Sequence, residues 1–280
     1  TDSTFFSSLP LIEKRYPDFD ITNEDWMADK TIEIADEVQL FINKSYDIYG
    51  KKFHNVDTHR FDIKQENVAK AGLWIAKKRY AQWIINVEGH TVSKLDVKGL
   101  DVVRSSFPPS FRKFMAEVLE DILNDIGKPE LDQKILDFKD HMKTLDLIDV
   151  MFPIGVKNVK KYIRKGDKPF TPRVKGTPVH VKAALNYNDM LQHHKVRTIR
   201  GIINGEKIKW TYLKNNSMGL DTMALKGYDD PEPLSNFVQQ HIDYDKVFKS
   251  AFANKLNDFY SAMNWGLIPE NNNLGKFFSF

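Results

Sequence analysis

Two adjacent prolines followed by a serine, Pro108-Pro109-Ser110, constrain this chain more than any other feature. Proline fixes its own backbone and restricts the residue before it, so no regular element runs through such a pair. The character of the sequence changes there. Ahead of the prolines, short alternating stretches mix with one long helical pattern; behind them, apolar residues recur mainly at helical spacing. The expected fold class is therefore α+β. Residues 1–108 form one domain, residues 109–270 a second and mainly helical one, and residues 271–280 a tail.

In the first part, Ile34, Val38, Phe41 and Ile42 share one face of a helix expected over 29–49, with Gly50 as its stop. Phe61 and Ile63 alternate with polar neighbours, as do stretches of 73–85, which predicts strands with one buried face; Glu88-Gly89 reads as a hairpin turn. In the second part, Phe111, Phe114, Met115, Val118, Leu119, Ile122 and Ile126 keep helical spacing up to Gly127 and Pro129. Leu131, Ile135, Phe138, Met142 and Leu145 form another such stripe, and the short Gly/Pro turn between the two implies an antiparallel pair. Val181, Ala184, Leu185 and Asn188 predict a further helix and residues 207–213 a strand. Asp243 is the expected cap of a last helix striped by Val247, Phe248, Ala251, Phe252, Leu256, Phe259 and Met263. Asn271-Asn272-Asn273 reads as a tether to the apolar end Phe277, Phe278 and Phe280.

Composition acts by exclusion. Hydrophobic residues at 41% and charged residues at 28% describe an ordinary globular protein, and no run approaches a membrane span, so no membrane partner is expected. With no cysteine, disulfides, thiolate zinc sites and cysteine nucleophiles are ruled out. The opening ten residues lack the basic start and apolar stretch of a signal peptide, which points to the cytoplasm. A net charge of +3 identifies no partner, but the segment from Val156 to Lys182 carries Lys157, Lys160, Lys161, Arg164, Lys165, Lys168, Arg173, Lys175 and Lys182 against the single acid Asp167. Taken alone, such a run reads as a solvated surface.

Four short strings carry more information in their order than any does singly. The chain opens Thr1-Asp2-Ser3. Lys77-Lys78-Arg79-Tyr80 follows; on a strand, Lys77 and Arg79 would diverge from Lys78 and Tyr80, and the pattern suits either phosphate contact or a basic edge strand resisting aggregation. Lys98-Gly99-Leu100-Asp101-Val102-Val103-Arg104 reads as a turn in which Gly99 supplies backbone freedom and Arg104 meets an acid. Last comes His180-Val181-Lys182-Ala183-Ala184-Leu185-Asn186-Tyr187. In this order and spacing the four resemble motifs of family B replicative DNA polymerases of the T-even bacteriophage kind.

That resemblance implies roles residue by residue. Thr1-Asp2-Ser3 corresponds to the end of the palm motif Asp-Thr-Asp-Ser, which makes Asp2 the catalytic, metal-binding aspartate, and Glu66 is a candidate second palm carboxylate. Lys77, Lys78, Arg79 and Tyr80 correspond to the Lys-Lys-(Lys or Arg)-Tyr motif on the primer-template, and Lys98 and Arg104 to the segment near the passage from palm to thumb. His180 and Lys182 fall in the thumb string His-Ile-Arg-Gly-Val-Leu-Thr-Tyr, where Lys182 keeps the arginine's charge without its fork and Ala183 stands in place of glycine. Lys160, Lys161 and Arg164 then lie where a thumb grips duplex product. Gly275 to Phe280 resembles a terminal sliding-clamp-binding peptide, with Phe277, Phe278 and Phe280 as its anchors.

The implied architecture is the C-terminal part of a palm, antiparallel strands plus helix, over 1–108; a mainly helical thumb over 109–270; and a clamp-binding tail over 271–280. The implied activity is primer extension on a DNA template from deoxynucleoside triphosphates, by two-metal magnesium chemistry that needs a further carboxylate beside Asp2. The family's earlier palm aspartate, its Ser-Leu-Tyr-Pro string, its finger helix and its exonuclease domain are not found in the sequence. An N-terminal polymerase chain supplying them is therefore expected, held non-covalently or joined by splicing, with Thr1 offering the hydroxyl that a splice junction requires. A viral origin would place the assembly in host cytoplasm. The competing reading is a non-catalytic DNA-binding and clamp-tethering protein. A metal-dependent nuclease would need a carboxylate cluster of its own, and the acids here are scattered; His193-His194 point in different directions on a helix and read as polar surface residues.

Overall fold

The computed structural model describes residues 4–164, 166 and 168–266. Two compact units are drawn from Thr1–Trp74 with Tyr80–Val97, and from Ile75–Arg79 with Lys98–Phe280. Each joins helices to a small antiparallel three-stranded sheet, so the fold class is α+β as the sequence predicts.

The first unit begins with helix α1 (Leu9–Arg15), which packs on α2 (Glu24–His54) and buries Ile12, Ile34 and Ala35. The Asn23 side chain accepts from the Trp26 N–H at 3.1 Å and starts α2. Contrary to expectation, α2 does not stop at Gly50. It runs to His54, where Asn55 turns left-handed at φ +52 and the Val56 N–H returns to the Gly50 carbonyl. Gly50 is buried within the helix, where a Cβ would lie 3.0 Å from the side chain of the exposed Val56, close enough to displace it slightly. Phe61 and Ile63 belong to no strand. Residues 55–66 form an irregular segment fastened to α2 by side chains, with Asp47 accepting from the His59 N–H at 2.9 Å and Gln39 from the Gln65 N–H at 3.0 Å. Side-chain acceptors have taken the place of a strand ladder.

Strands β1 (Asn67–Ala76), β2 (Arg79–Val87) and β3 (His90–Lys98) follow in sequence order. The turn Glu88-Gly89 has φ +49 and +88, the paired left-handed conformation that suits a tight hairpin, as expected. The other turn is Lys77-Lys78, with Lys78 at φ +61. The alternation argued for Lys77 to Tyr80 therefore fails: Lys77 and Lys78 sit at the bend, and only Arg79 and Tyr80 enter a strand.

In the second unit, α3 (Pro109–Leu123) and α4 (Lys128–His141) follow the two predicted stripes. Left-handed Asp125 closes α3 and Gly127 caps the start of α4, so the glycine begins a helix where it was expected to end one. The helices meet through Phe114 and Phe138, whose rings stack at 3.9 Å. After α5 (Leu147–Val150), a second sheet forms from β4 (Phe152–Gly155), β5 (Lys207–Tyr212) and β6 (Thr222–Leu225), in the order β4-β5-β6. The strand over 207–213 was expected; the four-residue β4 and β6 were not, and β6 is buried on both faces, so it shows no alternation. Helix α6 (Val179–His193) lies on this sheet, and α7 (Glu232–His241) adds Leu234 and Val238 to their common core. The chain ends its described part with α8 (Tyr244–Phe248), a π turn over Lys249–Ala253 and α9 (Asn254–Ala262). Asp243 caps α8 by accepting from the Lys246 N–H at 3.0 Å, as expected, and Phe252 returns to the ring cluster of Phe111, Phe114 and Phe138.

Candidate nucleic-acid interface

Within the second unit the hairpin tip Ile75–Arg79 is pressed onto the glycine string. Gly99 has φ +67, and a Cβ there would fall 2.1 Å from the Lys78 carbonyl oxygen, so both conformation and space demand glycine. Asp101, which opens a 3-10 turn and keeps 11% of its side chain exposed, accepts from Arg104 Nη1 at 3.0 Å and Lys255 Nζ at 3.2 Å. The acid expected beside Arg104 is thus in its own motif. Arg79 Nη2 donates to Asp258 Oδ2 at 3.0 Å. Lys77 and Lys78 are exposed and make no ion pair among the described residues; Lys98, at the end of β3, is exposed as well. Lys255 and Asp258 escaped the sequence reading. They belong to no motif, and their only signal is opposite charges spaced three apart on the last helix.

The basic segment also divides by ion pairing. Lys160 and Lys161 lie on a 3-10 turn, exposed and without an ion pair among the described residues, as are Lys157, Lys168 and Lys175, while Lys161 also sits over the Tyr162 ring. Arg164 is exposed nearby and has a partner of its own. Arg173, by contrast, donates to Asp189 at 2.5 Å and Asn186 at 2.9 Å in a largely buried network. Lys182 donates to Asp221 at 2.6 Å. Arg173, Lys182, Asn186 and Asp221 line a concavity of about 450 Å³ between α6 and the loops at 170–177 and 219–221. Burial pushes the His180 imidazole below its ordinary value, which favours the neutral ring over a phosphate-binding cation. Ala183 is fully buried in the core shared by α6 and the second sheet, so its methyl group packs where glycine would leave a gap.

In the first unit, Tyr80 meets Phe5 edge-on at 5.5 Å, and Phe5 meets Trp74 at 5.9 Å. Glu66 is exposed, and its carbonyl accepts from the Glu88 N–H at 3.0 Å. Among the described residues no group of three or more His, Asp or Glu side chains is placed to hold a metal ion. Thr1, Asp2, Lys165, Phe277, Phe278 and Phe280 lie outside the described residues. No helix among those described is long and apolar enough to cross a membrane.

Residues 27–168 match the DNA polymerase family B profile. Over 201 residues, 68% of this chain, the sequence is 27% identical to a DNA-directed DNA polymerase of Escherichia phage RB69 and spans 21% of that protein. Over 112 residues, 39% of this chain, it is 34% identical to the DNA polymerase alpha catalytic polypeptide of Saccharomyces cerevisiae, 7% of whose length is covered.

Proposed function

Because this chain belongs to DNA polymerase family B, we propose that it is the C-terminal part of a DNA-directed DNA polymerase of the T-even phage type, with residues 1–108 ending the palm, 109–270 forming the thumb and 271–280 reaching a sliding clamp. The observation that carries this reading is the contact of Lys78 with Gly99: two motifs separated in sequence fit backbone to backbone, leaving Lys77 and Lys78 exposed at a bend. Exposed lysines at the tip, and Lys160 and Lys161 in the basic segment, suit a duplex held through its phosphates whatever its base sequence. Arg79, Arg104 and Lys182 already have carboxylate partners and would reach phosphate only by exchanging them.

The chemistry assigned to the assembled enzyme is attack of a primer 3' hydroxyl on the α-phosphorus of a deoxynucleoside triphosphate with release of pyrophosphate, for which Asp2 and a carboxylate of an N-terminal part would hold magnesium. Two observations support the need for that part. The chain spans 21% of its phage relative, and the distal half of α2 leaves Leu40, Phe41, Ile48, Tyr49 and Phe53 exposed, an apolar surface of the kind that marks a partner.

Primer extension tests the reading. The chain alone should not extend a primer, and adding the N-terminal part with magnesium and deoxynucleoside triphosphates should start extension. Asp2→Asn should then lower turnover at least about a thousandfold while leaving primer-template binding intact. Extension by the purified chain alone would remove the need for a partner, and near-normal turnover of the variant would remove Asp2 from the metal site. Duplex binding without extension in any assembly would favour the non-catalytic clamp-tethering reading.

A further inference from the structure

Helix α9 presents Lys255 and Asp258, three residues apart and hence on neighbouring positions of one helix face, to two different motifs. Asp258 takes Arg79 of the hairpin tip, and Lys255 takes Asp101 of the glycine string, which in turn holds Arg104. Between these ion pairs Gly99 closes on the Lys78 carbonyl so tightly that no side chain fits. The tip is thus gripped at its backbone and at one side chain, and the glycine string at one carboxylate.

The π turn ahead of α9 bears on this arrangement. Residues spaced four apart drift by about 40° per step around an α-helix, whereas a π turn, with more residues per turn, takes up that drift. Phe248, Phe252, Leu256 and Tyr260 are spaced by four and all buried. The apolar stripe therefore stays inward across the π turn while Lys255 and Asp258 remain on a part-exposed face.

We infer that Lys255 and Asp258 form a two-point clamp that positions the hairpin tip and the glycine string, and that Arg79 is a strut of this clamp instead of a phosphate contact. A guanidinium beside a carboxylate is already neutralised, and a phosphate brought to it would also approach Asp258. The positive field at the tip then comes from Lys77 and Lys78, whose placement the clamp controls. The consequence for DNA rests on the polymerase reading; the clamp itself does not.

Two measurements on the full chain test it: backbone hydrogen exchange over 76–80 and 98–104 without DNA, and primer-template affinity across a salt series. Asp258→Asn should speed exchange over 76–80 about two- to fivefold, because the local opening equilibrium loses a partly exposed ion pair. It should weaken duplex binding several-fold with the salt slope unchanged, since no phosphate contact is removed. Arg79→Asp should behave likewise, and Arg79→Asp combined with Asp258→Arg should restore both readouts, because the reversed pair rebuilds the strut. The inference is overturned if exchange is unaltered in Asp258→Asn. It is equally overturned if the reversed pair binds as weakly as Arg79→Asp with a slope shallower by about one unit, the signature of a lost phosphate contact. Should the wild-type chain hold no duplex even together with the N-terminal part, the polymerase reading fails and the exchange measurements still decide the clamp.

Discussion

Phe252 in the second unit is fully buried, with the rings of Phe111, Phe114, Phe138 and Phe248 between 5.2 and 6.0 Å away, whereas Phe41 in the first unit is 72% exposed. Both residues belong to apolar stripes at helical spacing. Among the described residues, thirteen of the eighteen large apolar side chains left exposed fall in the first unit. The difference lies in the next layer. In the second unit the chain returns through α8, the π turn and α9 to cover α3 and α4. In the first, α1 covers α2 only around Ile34 and Ala35, and the helix runs on to His54 with its distal apolar residues exposed. An amphipathic stripe specifies that something packs on it without specifying what.

The contrast is sharpest in what truncation should do. Phe252→Ala removes the ring at the centre of the phenylalanine cluster and should cost about 3–5 kcal/mol, read as a fall in the denaturant midpoint at constant slope. A loss no greater than that of an exposed position would mean that the second unit is not the better packed of the two.

A polar tie within the same core should matter less. Tyr260 donates to Asp132 at 2.6 Å, and Lys128 pairs with the same carboxylate at 2.5 Å, so Tyr260→Phe should cost about 1–3 kcal/mol. Burial first, then the hydrogen bond to Asp132, raises the Tyr260 phenol above its ordinary value. Above about pH 10 the unfolded chain loses a proton that the folded chain keeps, so stability falls with rising pH in that range. Denaturation at neutral and alkaline pH should show a shallower fall in the variant; an equal fall would detach Tyr260 from the effect.

The smallest change in stability is expected on α2. Replacing Phe41 and Ile48 together by serine should alter the stability of the chain by less than about 0.5 kcal/mol, as for surface positions generally. Association with the proposed N-terminal part should weaken about tenfold or more, because apolar anchors of an interface carry much of its binding energy. Thermal unfolding and sedimentation would read the two effects separately. If the double variant unfolds the chain, that stripe is packed internally and the two units are more alike than their exposures indicate.

The elements legible in the sequence are those set by neighbours along the chain. The stripes of α3, α4 and α6, the strand β5, the Glu88-Gly89 turn and the Asp243 cap each depend on a few adjacent residues, and each forms where the spacing predicts. Elsewhere local chemistry is overruled from a distance. Gly50 looks like a stop, yet the helix continues to His54 and ends only at left-handed Asn55. Lys77 and Lys78 look like strand residues, yet the sheet bends there and Gly99 accommodates the Lys78 carbonyl. Strands β4 and β6 are too short to show a period, and only pairing with β5 defines them. By itself, then, the sequence determined the class of fold, most of the helices and the positions of the motif strings, because spacing and capping are properties of contiguous residues. Tertiary structure alone decided which cations stay free: whether Arg79 finds Asp258, or Lys255 finds Asp101, depends on two distant segments being brought within about 3 Å, a separation over which charge pairing is strong and which no sequence period encodes.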